Sequence, residues 1–518
     1  MNAPVQIELL PLGQVLRVES GESLQDVLFD HGVEFPCGGR GRCKGCKIRV
    51  LSGALPVTPE DATCLSSAER ALGWRLACRA RPRGNLQIEL AQWEAAILSD
   101  DSSFAFNPRP GLGVAVDLGT TTLVAQLFDL QTGRVLAVRS ALNQQARHGA
   151  DIMSRIEFAL ANNGQRVLEE LVRDQIGKLI QELLSAARPD RLSPGVVRSG
   201  GSSEPVTGSI ETIVLVGNTV MHHLFSGISV EPLSQYPFES TAPGLQTFPA
   251  EAIGWQLPGN PSVYFLPCLG GFVGSDLLAG ILATRLRERE SPALLIDLGT
   301  NGEIVLGNRE RVLCAATAAG PAFEGARISM GMRAATGAIS EVRLSDGRLH
   351  CHVLGNTAPR GICGSGLVDA IAAGLELGAI GKNGRLSKCQ SLELAAPVSL
   401  TQRDIRELQL AKGAISAGVR LLLAHWGTTE ERIKQIFLAG AFGNYINQAN
   451  ARRIGLLNFP AEKVVPAGNT ALLGAKLALF EAPETDLTYQ DLISQTTHIS
   501  LNELPGFQDV YADEMSFP

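Results

Sequence analysis

Three thiols fall within ten residues, Cys37-Gly-Gly-Arg-Gly-Arg-Cys43-Lys-Gly-Cys46, and Cys78 follows after 31 intervening residues. Three close cysteines with a distant fourth is the spacing of a plant-type [2Fe–2S] site, whose iron is held by four thiolates. The glycines serve the same chemistry. A loop wrapped around a cluster must turn tightly and aim backbone N–H groups at sulfur, which glycine does at low steric cost. Zinc is the competing reading. Zinc ligands usually come as two close doublets, and here Cys78 has no near partner. The other six cysteines (Cys64, Cys268, Cys314, Cys351, Cys363, Cys389) are scattered singly and read as small buried hydrophobes.

A second chemistry is written twice. Val114-Ala-Val-Asp117-Leu-Gly119-Thr120-Thr121-Thr122 returns as Leu294-Leu-Ile-Asp297-Leu-Gly299-Thr300-Asn301-Gly302-Glu303, 180 residues later. Each copy reads as a buried strand ending in Asp, a Gly/Thr turn and a second strand. Such a turn presents N–H and hydroxyl donors to phosphate, while the carboxylate holds Mg²⁺ or its water. One copy is a weak signal; two, each opening a half-domain, read as a two-sided phosphate clamp. Further strand–Gly–helix units follow in both halves: Ile213–Val216 into Gly217-Asn-Thr-Val-Met-His-His, Val263–Leu266 into Gly270–Asp276, Ile436–Leu438 into Ala439–Asn444, and Val464–Val465 into Ala467-Gly468-Asn-Thr. His222 and His223 read as packed helix residues rather than metal ligands. Pro321–Gly325 and Gly361–Gly366 read either as phosphate-approaching loops or as tight helix–strand joints.

These residues need elements to hold them. Residues 1–91 read as a small domain: a hairpin of Val5–Leu10 and Gln14–Glu19, a helix Ser23–His31, the cysteine loop, a strand Lys47–Leu51, a helix Ser66–Leu72 opened by a Ser66/Glu69 capping box, and a strand Leu86–Leu90. Residues 92–111, with Ser99-Asp-Asp-Ser-Ser and Asn107-Pro-Arg-Pro-Gly111, read as a linker; a flexible chain of that length spans on the order of 25 Å r.m.s.. The two α/β halves are 112–291 and 292–482, and 483–518 form a C-terminal extension. A helix Asp404–His425 puts Gln409 and Lys412 on one face.

At 518 residues the chain is too long for one core. The start, MNAPVQIELLPLGQ, lacks a basic segment before a long apolar run, so no signal peptide is expected; nor is a membrane span. Ten cysteines without a secretory signal point to metal binding or buried thiols in a reducing cytoplasm. Net charge is −7, yet Cys37 to Arg83 carry ten Lys/Arg against three Asp/Glu. A basic rim at an electron-transfer site suggests steering toward an acidic partner; the plainer reading is a tuned potential or a solvated face. No aromatic stacking surface accompanies it, so nucleic acid is not expected.

The cysteine loop, one residue longer than the plant type, resembles the adrenodoxin-like ferredoxins, implying a β-grasp [2Fe–2S] domain with ligands Cys37, Cys43, Cys46 and Cys78. Residues Gly113 to Phe480 resemble the actin/sugar-kinase/Hsp70 (ASKHA) ATPases. That likeness implies a two-lobed α/β fold. It implies phosphate loops at Asp117, Gly119, Thr120 and Thr121 and at Asp297, Gly299, Thr300, Asn301 and Gly302. It also implies an adenosine turn at Gly440, Ala441 and Phe442, a connecting segment at Gly270–Asp276, and adenosine contacts from Lys412 and Gln409. Asp276, Asp297 and Glu303 are the candidates for aligning the attacking water, since phosphoryl transfer depends mostly on positioning.

The pairing, with the stretches Gly217–His223, Asp297–Glu303, Ala318–Ala326 and Leu438–Ile446, resembles the reductive activators of corrinoid-dependent enzymes. That resemblance implies ATP, Mg²⁺, an upstream electron donor, a corrinoid protein of a methyltransferase system as partner, and a homodimer through the ATPase domain. It implies one-electron reduction of Co(II) corrinoid to Co(I). Some relatives carry a middle domain after the linker, for which 92–111 leave no room. A ferredoxin-fused small-molecule kinase would instead show an acceptor pocket and metabolite-stimulated turnover. A nucleotide-switched redox sensor would bind nucleotide without hydrolysing it. The 2-hydroxyacyl-CoA dehydratase activators use a [4Fe–4S] cluster between subunits, which the Cys37–Cys78 pattern does not match.

Overall fold

The computed structural model describes residues 4–10, 14–29, 41, 46–65, 67–90, 106–149, 151–161, 163–187, 208–299, 301–325, 327–332, 334, 337–356, 358–387, 390–443, 446–481 and 487–518. By contacts the chain divides into two units. One comprises Met1–Glu22, Cys46–Ala283 and Ala471–Ile493; the other comprises Ser23–Gly45, Thr284–Thr470 and Ser494–Pro518.

In the first unit, strands β1 (Pro4–Leu10), β2 (Gln14–Glu19), β3 (Lys47–Ser52), β4 (Trp74–Leu76) and β5 (Leu86–Leu90) form one sheet in the order β2-β1-β5-β3-β4. β1 and β5 are parallel and the other pairs antiparallel, the β-grasp arrangement expected. Alternation along β1 buries Val5, Ile7 and Leu9 and exposes Pro4 and Gln6, as a half-buried strand requires. A helix Pro59–Cys64 was not anticipated from the sequence. Thr58 and Asp61 close a reciprocal capping box at its start, and Asp61 also accepts from the Leu76 N–H at 2.7 Å, tying the helix to β4. The expected cap Ser66 and the turn 11–13 lie outside the described residues, as does the end of the first helix, described as Leu24–Phe29.

The internal echo becomes a shared topology. Strands β6 (Leu112–Leu118), β7 (Thr122–Asp129), β8 (Val135–Leu142), β9 (Ile210–Gly217), β10 (Gln246–Pro249) and β11 (Ser262–Phe265) run β10-β11-β9-β6-β7-β8. The second unit's sheet contains β12 (Ala293–Leu298), β13 (Gly302–Gly307) and β14 (Val312–Thr317). A smaller sheet is made of β15 (Ala338–Ser345), β16 (Arg348–Val353) and β17 (Gly361–Ile362), and a hairpin of β18 (Ser391–Ala395) and β19 (Val398–Thr401). β20 (Ile436–Ala439), β21 (Val464–Gly468) and β22 (Thr496–His498) complete the large sheet in the order β21-β20-β12-β13-β14-β22. In each sheet the Asp-bearing strand leads an antiparallel three-strand meander and has two parallel neighbours on its other side. Strands flanked on both sides are nearly continuously apolar, as buried central strands must be: Leu294, Leu295 and Ile296 are fully buried, as are Val114, Ala115 and Val116.

Two segments near expected boundaries pack within the first unit. The helix Thr470–Glu481 falls mostly with the first unit rather than the second. A Cβ on Gly474 would stand 2.1 Å from the Ala279 carbonyl oxygen, Leu479 packs over Gly113, and Arg109 donates to the Leu479 carbonyl at 2.6 Å. The end of the expected linker is packed too: Phe106 meets Phe480 edge-on with centroids 4.9 Å apart. Residues 91–105 lie outside the described residues.

The same helix buries an amine. Lys476 is 3% exposed, its Nζ has no hydrogen-bond partner among the described residues, and it lies 5.1 Å from the Phe128 ring centroid. Burial lowers its pKa to about 7. Between that value and the ordinary one near 10.4 the unfolded chain binds the extra proton, so stability rises with pH through this window and the full cost is felt below it. Lys476→Met is expected to stabilise the protein by a few kcal/mol at neutral pH and to remove this component of the pH dependence; urea unfolding at neutral and alkaline pH measures both.

Candidate functional site

β3 and β4 bring two of the expected cluster ligands together. Lys47 pairs with Leu76, and the Ala77 N–H donates to the Cys46 carbonyl at 2.9 Å. Cys46, just before β3, and Cys78, just after β4, therefore meet at one end of the pair although 31 residues lie between them. Cys46 is fully buried and Cys78 is 5% exposed. Two shielded thiols at a strand end suit thiolate ligation of an iron–sulfur cluster. Cys37, Cys43 and most of their loop lie outside the described residues. Among the described residues no three His, Cys, Asp or Glu gather as another metal site.

The basic rim is partly spent on the fold. Lys47, Arg49 and Arg79 pair with Glu69, Glu89 and Glu60 at 3.2, 3.8 and 3.1 Å. Arg70 and Arg75 donate to backbone carbonyls. Arg81 and Arg83 stand exposed, leaving less of the segment for steering than its net charge suggested.

The first expected phosphate hairpin joins β6 to β7. Leu118 pairs with Leu123, so Gly119 to Thr122 form the turn, closed by a bond from the Gly119 N–H to the Thr122 carbonyl at 3.1 Å. Asp117 lies alongside Val216 of β9, and Leu118 alongside Gly217. Among the described residues, three side chains brace this turn. Asn143 Nδ2 donates to the Gly119 carbonyl at 2.9 Å, Asn218 Nδ2 to Thr120 Oγ1 at 2.9 Å, and Arg155 to the Thr120 carbonyl. Asn218 also caps the helix Thr219–Ser226. Ser275 exchanges hydrogen bonds with Gly217 at 3.1 Å, which brings the first turn of the helix Ser275–Ala283, with Asp276, beside the end of β9. Asp276 Oδ1 accepts the Leu277 N–H at 2.8 Å. The sequence signal for Asn218 was the Gly-Asn-Thr at the end of β9; nothing marked Asn143 or Arg155.

The second hairpin joins β12 to β13. Leu298 pairs with Gly302, so the turn is Gly299 to Asn301, one residue shorter than the first; Thr300 lies outside the described residues. Asp297 is aligned with Ala439 of β20, the position equivalent to that of Asp117. The next residue, Gly440, has φ +83°, and a Cβ there would stand 2.7 Å from Asp297 Oδ1. The structure thus brings the expected adenosine turn against the expected phosphate residue within one unit. Gly302 and Thr317 are cross-strand partners, and Thr317 Oγ1 donates to the Gly302 carbonyl at 2.8 Å. Glu303 is buried on β13 directly across from Asp297 in the ladder; neighbours across a ladder pair share a sheet face. Phe442 stacks on Phe323 with centroids 4.7 Å apart. A Cβ on Gly364 would meet the Phe323 carbonyl oxygen at 1.9 Å, so Gly361–Gly366 is the tight joint between β17 and the helix Gly364–Glu376.

Gln409 and Lys412 have another task here. They sit on the helix Gln402–Trp426, opened by a Thr401/Asp404 capping box, and both are 1% exposed. Gln409 Nε2 donates to the Met515 carbonyl and Lys412 Nζ to the Ser516 carbonyl, each at 2.8 Å. The expected adenosine contacts are committed to the C-terminal segment, whose Phe517 is buried. Burial lowers the Lys412 pKa to about 8, against an opposing contribution from Glu514. Lys412→Ala is expected to cost roughly 1–3 kcal/mol and to speed amide exchange at residues 507–518.

His222 and His223 are packed as expected. Their Nδ1 atoms are 3.3 Å apart, His223 Nε2 meets Ser240 Oγ at 2.7 Å, and burial lowers their pKa values to about 3 and about 4. The thiols of Cys268 and Cys314 are pushed up to about 12 by burial, and that of Cys363 is also raised; raised thiols are inert. Cys389 lies outside the described residues. Among the described residues no helix is long and apolar enough to cross a membrane.

Family models match nearly the whole chain. Residues 7–83 match the 2Fe-2S iron-sulfur cluster binding domain, residues 112–289 the RACo middle region, and residues 291–518 the C-terminal domain of RACo, the ASKHA domain. The corrinoid activation enzyme RamQ of Eubacterium limosum is 36% identical over 438 residues, covering 78% of this chain and 70% of the relative. The chain belongs to the reductive activators of corrinoid-dependent enzymes. A [Co(II) methylated amine-specific corrinoid protein] reductase of Methanosarcina barkeri is 28% identical to this activator over 431 residues, covering 78% of this chain and 77% of the relative. A solved reductive activator for corrinoid, iron-sulfur protein superposes with TM-score 0.68 at 27% identity, over 99% of this activator and 98% of that chain. The residues that read as the first ATPase half are those that match the RACo middle region.

Proposed function

We propose that this protein is an ATP-dependent reductive activator that transfers one electron to the Co(II) corrinoid of a methyltransferase corrinoid protein, restoring Co(I). The observation that carries the reading is one chain joining an iron–sulfur domain to an ASKHA domain, matched over most of its length by an activation enzyme at 36% identity. When bound, the [2Fe–2S] cluster supplies a one-electron couple that protein side chains lack.

The residues divide the remaining work. Cys37, Cys43, Cys46 and Cys78 hold iron, and β3 and β4 shield Cys46 and Cys78 from water. Asp117 and Asp297 hold Mg²⁺ or its water, the turns Gly119–Thr121 and Gly299–Gly302 bind phosphates, and Gly440, Ala441 and Phe442 carry the adenosine. Asp276, Asp297 and Glu303 remain the candidates for orienting water. Gln409 and Lys412 are left out because the C-terminal segment holds them. ATP acts through conformation: a ligand shifts an equilibrium only by its differential affinity for the two states. About 5.5 kcal/mol moves a two-state balance from 1:99 to 99:1, and for one electron that offsets roughly 0.23 V. We further propose a cytoplasmic location, where thiols stay reduced, a homodimer through the ATPase domain, and a separate upstream reductant.

The test is anaerobic absorbance of an isolated Co(II) corrinoid protein mixed with the prereduced activator, with and without Mg-ATP. Growth of the Co(I) band only with ATP is expected. ATP turnover without Co(I), stimulated by a small metabolite, would support the kinase reading instead.

A further inference from the structure

A buried guanidinium lies behind the first phosphate hairpin. Arg155 is fully buried on the helix Ile152–Leu160, whose start is closed by an Asp151/Ser154 capping box. It donates to the Thr120 carbonyl, to the Gly149 carbonyl at 2.9 Å, to Gln145 Oε1 at 3.2 Å and to Met221 Sδ at 3.4 Å. No carboxylate is among these acceptors. Desolvation by burial outweighs the attraction of the nearby Asp151 carboxylate for the guanidinium; burying a cation without a bonded carboxylate is costly, so the site calls for a reason to keep a charged fork there.

The hairpin supplies the reason. Three successive carbonyls of the turn are held from behind: Gly119 by Asn143 Nδ2 at 2.9 Å, Thr120 by Arg155, and Thr121 by the Asn143 N–H at 2.9 Å. A peptide unit is planar and trans, so its N–H points opposite to its carbonyl. Holding the Gly119 and Thr120 carbonyls on one side turns the N–H groups of Thr120 and Thr121 to the other. Successive N–H groups turned one way make an anion-binding nest.

We propose that Arg155 is a positioning residue for nucleotide phosphate: together with Asn143 it orients the first hairpin so that its N–H groups face the phosphate. The proposal rests on the reading that this hairpin binds ATP. Arg155 touches no phosphate itself. Its planar fork spans two carbonyls at once, which the ammonium of a lysine cannot reproduce.

The test compares wild type, Arg155→Lys and Asn143→Ala as full-length protein with an intact cluster, measuring Kd for Mg-ATP and for adenosine and the KM and kcat of ATP-driven Co(II) reduction. Arg155→Lys is expected to raise Kd and KM for Mg-ATP about tenfold, with adenosine affinity, kcat at saturating ATP and cluster absorbance unchanged. A general loosening of the fold would move adenosine affinity and kcat as well. If Arg155→Lys does not fold, Asn143→Ala carries the same expectation. Wild-type binding of Mg-ATP, with both variants binding it equally well, overturns the positioning role and leaves the nucleotide reading standing. No binding of Mg-ATP by wild type overturns that reading and the proposal with it.

Discussion

Cys46→Ser and Cys78→Ser are each expected to abolish Co(I) formation while leaving Mg-ATP affinity unchanged. The thiolate is the ligand iron requires, and a serine hydroxyl stays protonated at neutral pH. Both positions are closed to solvent at the joined ends of β3 and β4, so water has little room to enter as a substitute ligand. The checks are the visible absorbance and the iron and sulfide content of the reconstituted variant. Full cluster loading in Cys78→Ser would show that the fourth ligand lies elsewhere. Nucleotide affinity serves as the control for folding, because the two hairpins proposed to bind phosphate belong to other sheets.

Asp297→Asn is expected to lower ATP-driven reduction about a hundredfold or more, the scale of losing one charge-stabilising group in a phosphoryl-transfer site. The cluster spectrum stays unchanged. Gly440→Ala is expected to approach the same loss without touching the carboxylate's chemistry. Its Cβ would stand 2.7 Å from Asp297 Oδ1, closer than contact permits, at a φ of +83° that alanine resists. The paired result separates two causes: the amide removes the charge, and the alanine displaces it. If Gly440→Ala retained wild-type KM and kcat, the aspartate would not need the place the structure gives it. Single-turnover reduction by prereduced protein, with nucleotide binding measured in parallel, distinguishes lost chemistry from lost affinity.

Much of this protein was legible in its sequence for local reasons. The cysteine spacing needs no fold to be read, because a cluster dictates its ligands over a few residues. The two Asp-Gly turns were legible because a buried strand ending in a turn leaves a run of apolar residues and a glycine. Their repetition after 180 residues foretold the shared sheet order that β6 and β12 each organise.

Tertiary structure decided the rest. Gln409 and Lys412 were sought at an adenosine because their spacing on a helix suits one, yet spacing on a helix does not say what lies across from it. The partner proved to be Met515 and Ser516, about a hundred residues away. The helix Thr470–Glu481 lies at the end of the second half in sequence and packs with the first unit, a choice made by Gly474 and Leu479 fitting surfaces far away in the chain. Arg155 carried no motif at all. Read alone, the sequence determines which groups can do chemistry, since that depends on residue type and short spacing. Which groups hold them in place depends on contacts between distant segments, and only folding decides those.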